Sequence, residues 1–173
     1  GIGIQINKVN ENKSSINGCS GDMFAYKEST VAQIPVTEIT NSTLIKPQGR
    51  IFYAGNAASF SIDYCTMYGW GGSKAMLELG DKNTLGMSLA IKNTILANGG
   101  SNRKAHNANA AANLSLTIEK VYGTNDMTFR NTLGHVTKYD KPSTEVFENP
   151  EEGNFKIIDA LFPSSIGDPR WTE

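Results

Sequence analysis

Short alternating apolar stretches constrain this chain most. Ile2, Ile4 and Ile6 alternate with Gly3, Gln5 and Asn7, and Phe60, Ile62 and Tyr64 alternate with Ser59, Ser61 and Asp63. Leu85, Met87, Leu89 and Ile91 repeat the pattern, as do Leu114, Leu116 and Ile118. A period of two sets one face of a strand on a core and the other in water. A helix is the rival reading over 83–97, where Leu85, Leu89 and Lys92 also fit a helical spacing. Gly86 and the β-branched residues favour a strand.

Counted this way the chain holds seven to nine short strands, with turn signals roughly every 8–15 residues. That predicts an all-β chain forming a single β-sandwich or jelly-roll-like domain. No internal repeat is visible. The domain is expected over 1–139, with an N-terminal strand at 1–9 and a long polar loop near 98–113. Residues 140–173 carry Pro142, Pro150, Pro163 and Pro169. Proline fixes φ and removes a donor, so an extended C-terminal arm is expected there.

Charge sharpens this division. The chain has 173 residues, and its 16 basic and 17 acidic side chains leave a net −1. Residues 1–82 are neutral, 83–139 hold six basic groups against two acidic, and 140–173 hold three basic against eight acidic. An acidic arm after a basic middle invites electrostatic pairing. The near-neutral total lies far from the basic signature of a nucleic-acid binder. No apolar run approaches the ~18 residues of a membrane-spanning helix.

The only cysteines, Cys19 and Cys65, have no metal-site spacing. They are expected to form one disulfide in an extracellular protein, with a pair of buried free thiols as the rival. Three sequons, at Asn12, Asn41 and Asn113, are candidate glycosylation sites. Gly1 is followed by no charged-then-apolar leader, which points to a leader already removed or to a trimmed start. Charged residues make up 19% of the chain, and Asn, Ser and Thr number 45. The expected location is therefore secreted or at the cell surface.

No motif fixes a nucleophile. His106 and His135 are the only imidazoles, and neither a G-x-S-x-G nor an H-E-x-x-H occurs. No cofactor, no metal and no catalytic residue is expected. Tyr64, Tyr68 and Trp70, beside Gly69, Gly71 and Gly72, form a candidate ligand surface of the kind that stacks on sugars. The rival places Tyr64 in the core and Trp70 over its end.

The leading expectation is a non-catalytic extracellular structural subunit, of pilus, fibre or coat type. It would assemble with copies of itself by strand or arm exchange. Ile2, Ile4 and Ile6 are the assembly face, because strand addition takes affinity from main-chain bonds and specificity from alternate side chains. The device resembles donor-strand exchange in bacterial and archaeal pili. The C-terminal alternating strand of chaperone–usher pilins is not recognisable in 160–173. The alternatives are a secreted carbohydrate-binding adhesin that contacts glycans or a host surface, and a membrane-acting β-toxin.

Overall fold

The computed structural model describes residues 8–26, 36–54, 58–72, 74–79, 87–108, 114–131 and 135–172. The donor candidates Ile2, Ile4 and Ile6, and the sequon Asn113, lie outside them.

The strands come in threes. The first coil holds β1 (Lys8–Asn12), β2 (Ser15–Asn17) and β3 (Phe24–Tyr26). The second holds β4 (Val36–Thr40), β5 (Thr43–Ile45) and β6 (Phe52–Ala54). The third holds β7 (Ala58–Asp63), β8 (Thr66–Trp70) and β9 (Leu77–Leu79). The fourth holds β10 (Met87–Lys92), β11 (Ile95–Lys104) and β12 (His106–Ala108). The fifth holds β13 (Leu114–Glu119), β14 (Val121–Gly123) and β15 (Met127–Asn131), and β16 (Val136–Lys138) begins a sixth.

Strands pair with their counterparts one coil later, except that β15 lies beside β11 and not β12, and every ladder among β1–β16 is parallel. The first sheet runs β1-β4-β7-β10-β13. The second runs β2-β5-β8-β11-β14-β16, with β15 also beside β11. The third runs β3-β6-β9-β12. The chain is therefore all-β, and its sheets enclose one core, as the sandwich expectation requires. Within that class the strands wind as a β-helix, a quasi-one-dimensional stack in which each coil touches its neighbours.

This winding contains the internal repeat that the sequence conceals. Down the first sheet, Lys8, Val36, Ser59, Ser88 and Ser115 stand in one column, at offsets of 28, 23, 29 and 27 residues. Corners repeat with them. Lys13, Asn41, Tyr64, Asn93 and Lys120 all turn through positive φ, between 44° and 53°, where the first sheet gives way to the second. Asn tolerates this region, and elsewhere it costs on the order of 1 kcal/mol.

Side chains at the inward columns are apolar, as the alternation predicted. Ile39, Ile62 and Ile91 form one column, and Phe60 and Leu89 share another. The Phe52 and Phe60 rings stack with centroids 4.4 Å apart. The polar stretch expected as a loop near 98–113 instead carries the end of β11 and all of β12. Main-chain ladder bonds, which need no apolar side chain, hold it there. Gly99 is required at this bend. Its φ is +131°, and a Cβ would come within 2.4 Å of the Trp70 carbonyl oxygen.

The C-terminal segment makes little regular structure, in keeping with its prolines. It comprises a one-turn helix, α1 (Ser143–Val146), a hairpin of β17 (Phe147–Asn149) with β18 (Asn154–Ile157), and a 3-10 turn at Pro169–Trp171. It docks along its own coil, over the outer face of the second sheet. Val146, Phe147, Phe155, Phe162 and Ile166 pack there with Tyr68, Ile95 and Ala97. Burying each large apolar side chain stabilises by roughly 1.5–3 kcal/mol, so apolar contact holds this strap.

Candidate functional site

The two ends of the coil are where the core is incomplete. Inward side chains of the middle coils are sealed: Ile39, Leu44, Phe52, Ile62, Met67, Met76, Ile91 and Leu96 are at 0% exposure. At the first coil, Ile16, Met23 and Phe24 are only half-buried. At the far end the same holds for Leu116, Ile118, Met127, Phe129 and Val136. Among the described residues an interior rung packs between two others, and a terminal rung has one neighbour. Among the described residues β1 and β13 each have a ladder on one side only.

Polar rows run along the stack. Asn41 Nδ2 donates to Asn12 Oδ1 at 2.9 Å, and Asn93 Nδ2 donates to Asp63 Oδ1 at 2.8 Å. Arg50 joins three coils, donating to Asp22 Oδ2 at 2.6 Å and to Glu78 Oε1 at 3.0 Å while stacked on Tyr53. The Asp22 hydrogen bond leads in holding the guanidinium above its ordinary pKa and the carboxyl below its own. These rows hold coil to coil. Among the described residues no group of three or more His, Cys, Asp or Glu is placed to hold a metal.

The expected ligand surface is not a surface. Tyr68 and Trp70 are fully buried, and Tyr64 alone is exposed, at 40%. Trp70 points into the core, where its Nε1 donates to the Gly49 carbonyl at 2.9 Å and its ring meets Phe129. Tyr68 points outward but lies under the strap. It donates to Glu151 and accepts from Asn98 Nδ2 at 3.0 Å. Burial first, and then the bond to Glu151, push its hydroxyl up to about 12. Regular alternation would set residues two apart on one face, but Gly69, at φ +70°, interrupts it, so Trp70 joins the core while Tyr68 stays outside and the two rings cannot form one platform.

The expected disulfide is absent, because both cysteines are free thiols. Cys65 is buried at the corner before β8, donating to Asp63 O at 3.3 Å, and burial pushes its thiol up to about 12. Cys19 follows β2, two coils away and at the next corner. Two coil steps of ~4.8 Å alone put them about 10 Å apart, beyond disulfide reach. At the sequons, Asn12 is exposed. The Asn41 side-chain nitrogen, where a glycan would attach, is engaged with Asn12, and Ser42 and Thr43 are buried.

The expected pairing of acidic arm with basic middle takes another form. Described ion pairs of the arm run from Glu151 to Lys46, and within the arm from Asp159 to Lys141 and from Asp168 to Arg170. Sequence reading missed the anchor at Asp168. This wholly buried carboxylate accepts from Thr43 Oγ1 at 2.6 Å and caps the last turn by accepting from Arg170 N at 3.1 Å. The signal was present as Asp168-Pro169, a capping residue before a proline at the first helical position.

Among the described residues no helix is long and apolar enough to cross a membrane. No curated protein and no solved structure matches the chain significantly. A family model described as a domain of unknown function, DUF5123, matches residues 60–171, more than half of the chain. That span runs from the third coil through the strap to Trp171, and the chain belongs to the DUF5123 family.

Proposed function

We propose that the chain is a non-catalytic structural module that assembles with copies of itself through the ends of its coil, outside the cell or at its surface. The contrast in burial along the stack carries this reading: sealed rungs in the middle, half-buried apolar rungs at both ends and, among the described residues, β1 and β13 laddered on one side only. Solenoids need polar caps to stay solitary. An unpaired edge beside apolar surface is a template for another strand. The strap favours the axial direction, because it covers the outer face of the second sheet and closes one flank to lateral association. An end-to-end contact joins two different surfaces, which makes it heterologous and open-ended, as in a fibre.

Light scattering coupled to size exclusion tests this. Wild-type protein is expected to gain mass with concentration, and Ile16→Lys is expected to stay monomeric while keeping the wild-type circular dichroism spectrum. Wild type that remains monomeric at every concentration contradicts the reading. The adhesin alternative relied on Tyr64, Tyr68 and Trp70 together and the toxin alternative on Tyr68 and Trp70; with Tyr68 and Trp70 buried, exposed Tyr64 is left without its two partners.

A further inference from the structure

We propose that residues 168–171 form a latch that couples the first two coils to the rest of the stack, so that the coils open together instead of fraying from the first. In a stack each coil draws its contacts from its neighbours, so an end coil opens first unless something else holds it. Among the described residues the first coil has a neighbour on one side only, and its Ile16, Met23 and Phe24 are half-buried. The return pass of the strap supplies the additional hold, because it crosses the rungs and meets each in turn. Phe162 packs edge-on against Tyr122 of the fifth coil, with ring centroids 5.7 Å apart. Gly167 N donates to Asn93 O of the fourth at 2.8 Å, and Asp168 N donates to Thr66 Oγ1 of the third at 3.1 Å. Asp168 Oδ2 accepts from Thr43 Oγ1 of the second at 2.6 Å. Arg170 Nη2 donates to Ser14 O of the first at 2.8 Å and to Ser15 Oγ at 3.2 Å.

The pass lies close on the sheet. Gly167 sits at φ +90°, and a Cβ there would come within 2.6 Å of Ile95 Cδ1 and 2.9 Å of Thr66 Oγ1. Asp168 is wholly buried, and Arg170 bridges it to the first coil, with Nε 3.0 Å from Oδ1. The first coil therefore cannot swing away alone. It either breaks both Arg170 contacts or lifts the last turn. Lifting that turn strips partners from the Asp168 carboxylate, Thr43 Oγ1 and Trp171 Nε1, and a buried charge that loses its partners is strongly destabilising. Ser14 O also accepts from Thr43 N at 2.9 Å, so the latch and the second sheet share an atom where the first two coils meet. Whatever lifts residues 168–171 also frees the first two coils, which makes this turn a control point 155 residues away in sequence from the rung it holds. The latch acts within one chain and does not depend on how copies assemble.

Native-state hydrogen exchange of the full-length protein tests it. One set of amides is Gly18 and Thr43, which donate to Ile45 O and Ser14 O in the first two coils. The other is Ile95 and Thr124, which donate to Cys65 O and Leu96 O further along the stack. In wild type the two sets are expected to exchange within about threefold of each other, as members of one opening unit. Arg170→Lys keeps a charge beside Asp168 but lacks the fork that also reaches Ser14. It is expected to speed exchange at Gly18 and Thr43 about tenfold or more and to leave Ile95 and Thr124 within about threefold of wild type. A wild-type first coil that already exchanges about tenfold faster than the fourth overturns the latch, whatever the variant does. So does a variant that exchanges as wild type does. Equal acceleration of all four amides overturns it too, because Arg170 would then add stability without coupling.

Discussion

Thr43 donates its hydroxyl to Asp168 at 2.6 Å, across 125 residues of sequence, and both residues are wholly buried. The same oxygen accepts from Trp171 Nε1 at 2.8 Å. The strap thus starts beside the last coil, where Tyr139 N donates to Gly123 O, and ends on the second, with Arg170 reaching Ser14 O on the first. Its course ties both ends of the stack together.

Loss of this tie has a measurable cost. Thr43→Val removes the donor to Asp168 and the acceptor for Trp171, leaving buried polar groups unsatisfied. A destabilisation of about 1–3 kcal/mol is expected in chemical denaturation. The Trp171 fluorescence should report release of the strap end. An unchanged midpoint would show that the apolar contacts alone fix the strap.

The buried and exposed aromatics should respond in opposite ways. Trp70→Ala empties a core site and is expected to cost about 3–5 kcal/mol. Tyr64→Ala, on an exposed corner, should stay within about 1 kcal/mol, although its positive φ makes Tyr64→Gly mildly stabilising. Thermal denaturation of the three variants checks the order.

Acid should loosen the strap. Burial would raise the Asp126 carboxyl, but hydrogen bonds from Ser143 and Thr124 outweigh it and hold it below its ordinary value. Glu151 is lowered first by Tyr68 and then by Lys46. A carboxylate depressed in the folded state stabilises above its unfolded value, and that stability is lost as pH falls through the folded one. Stability should therefore be flat from neutral pH to about pH 5 and fall below about pH 4. The apolar contacts remain at any pH, so Asp126→Ala should flatten the acid limb without unfolding the chain at pH 7. Urea midpoints across pH measure both.

Cutting the chain after Tyr139 should bare Tyr68, Ile95 and Ala97 on the second sheet. An increase in dye binding to apolar surface and lateral clumping are expected, with the parallel coil retained by circular dichroism. Clean monomers with no dye binding would mean that the strap covers nothing that needs covering.

Alternation made the strands legible: Phe60 with Ile62, Leu89 with Ile91, and Leu116 with Ile118 all lie on inward columns. The coil was not legible, because period-two patterning is shared by parallel and antiparallel strands. The repeat was hidden by unequal coils, whose spacing drops to 23 residues between Val36 and Ser59. Corner residues shared a backbone angle but no residue type, as Lys13, Asn41 and Tyr64 illustrate. Tyr68 and Trp70 read as a surface because glycines surround them. Those glycines serve turns and close packing, such as Gly69 at φ +70°.

The most direct test of the account is the molar mass of the full-length protein by light scattering across a hundredfold range of concentration, with the Ile16→Lys, Leu116→Lys double variant alongside. The account predicts a mass that rises in steps of one subunit for wild type and stays at 18.7 kDa for the variant, both folded by circular dichroism. A wild-type mass fixed at one subunit over the whole range would contradict it.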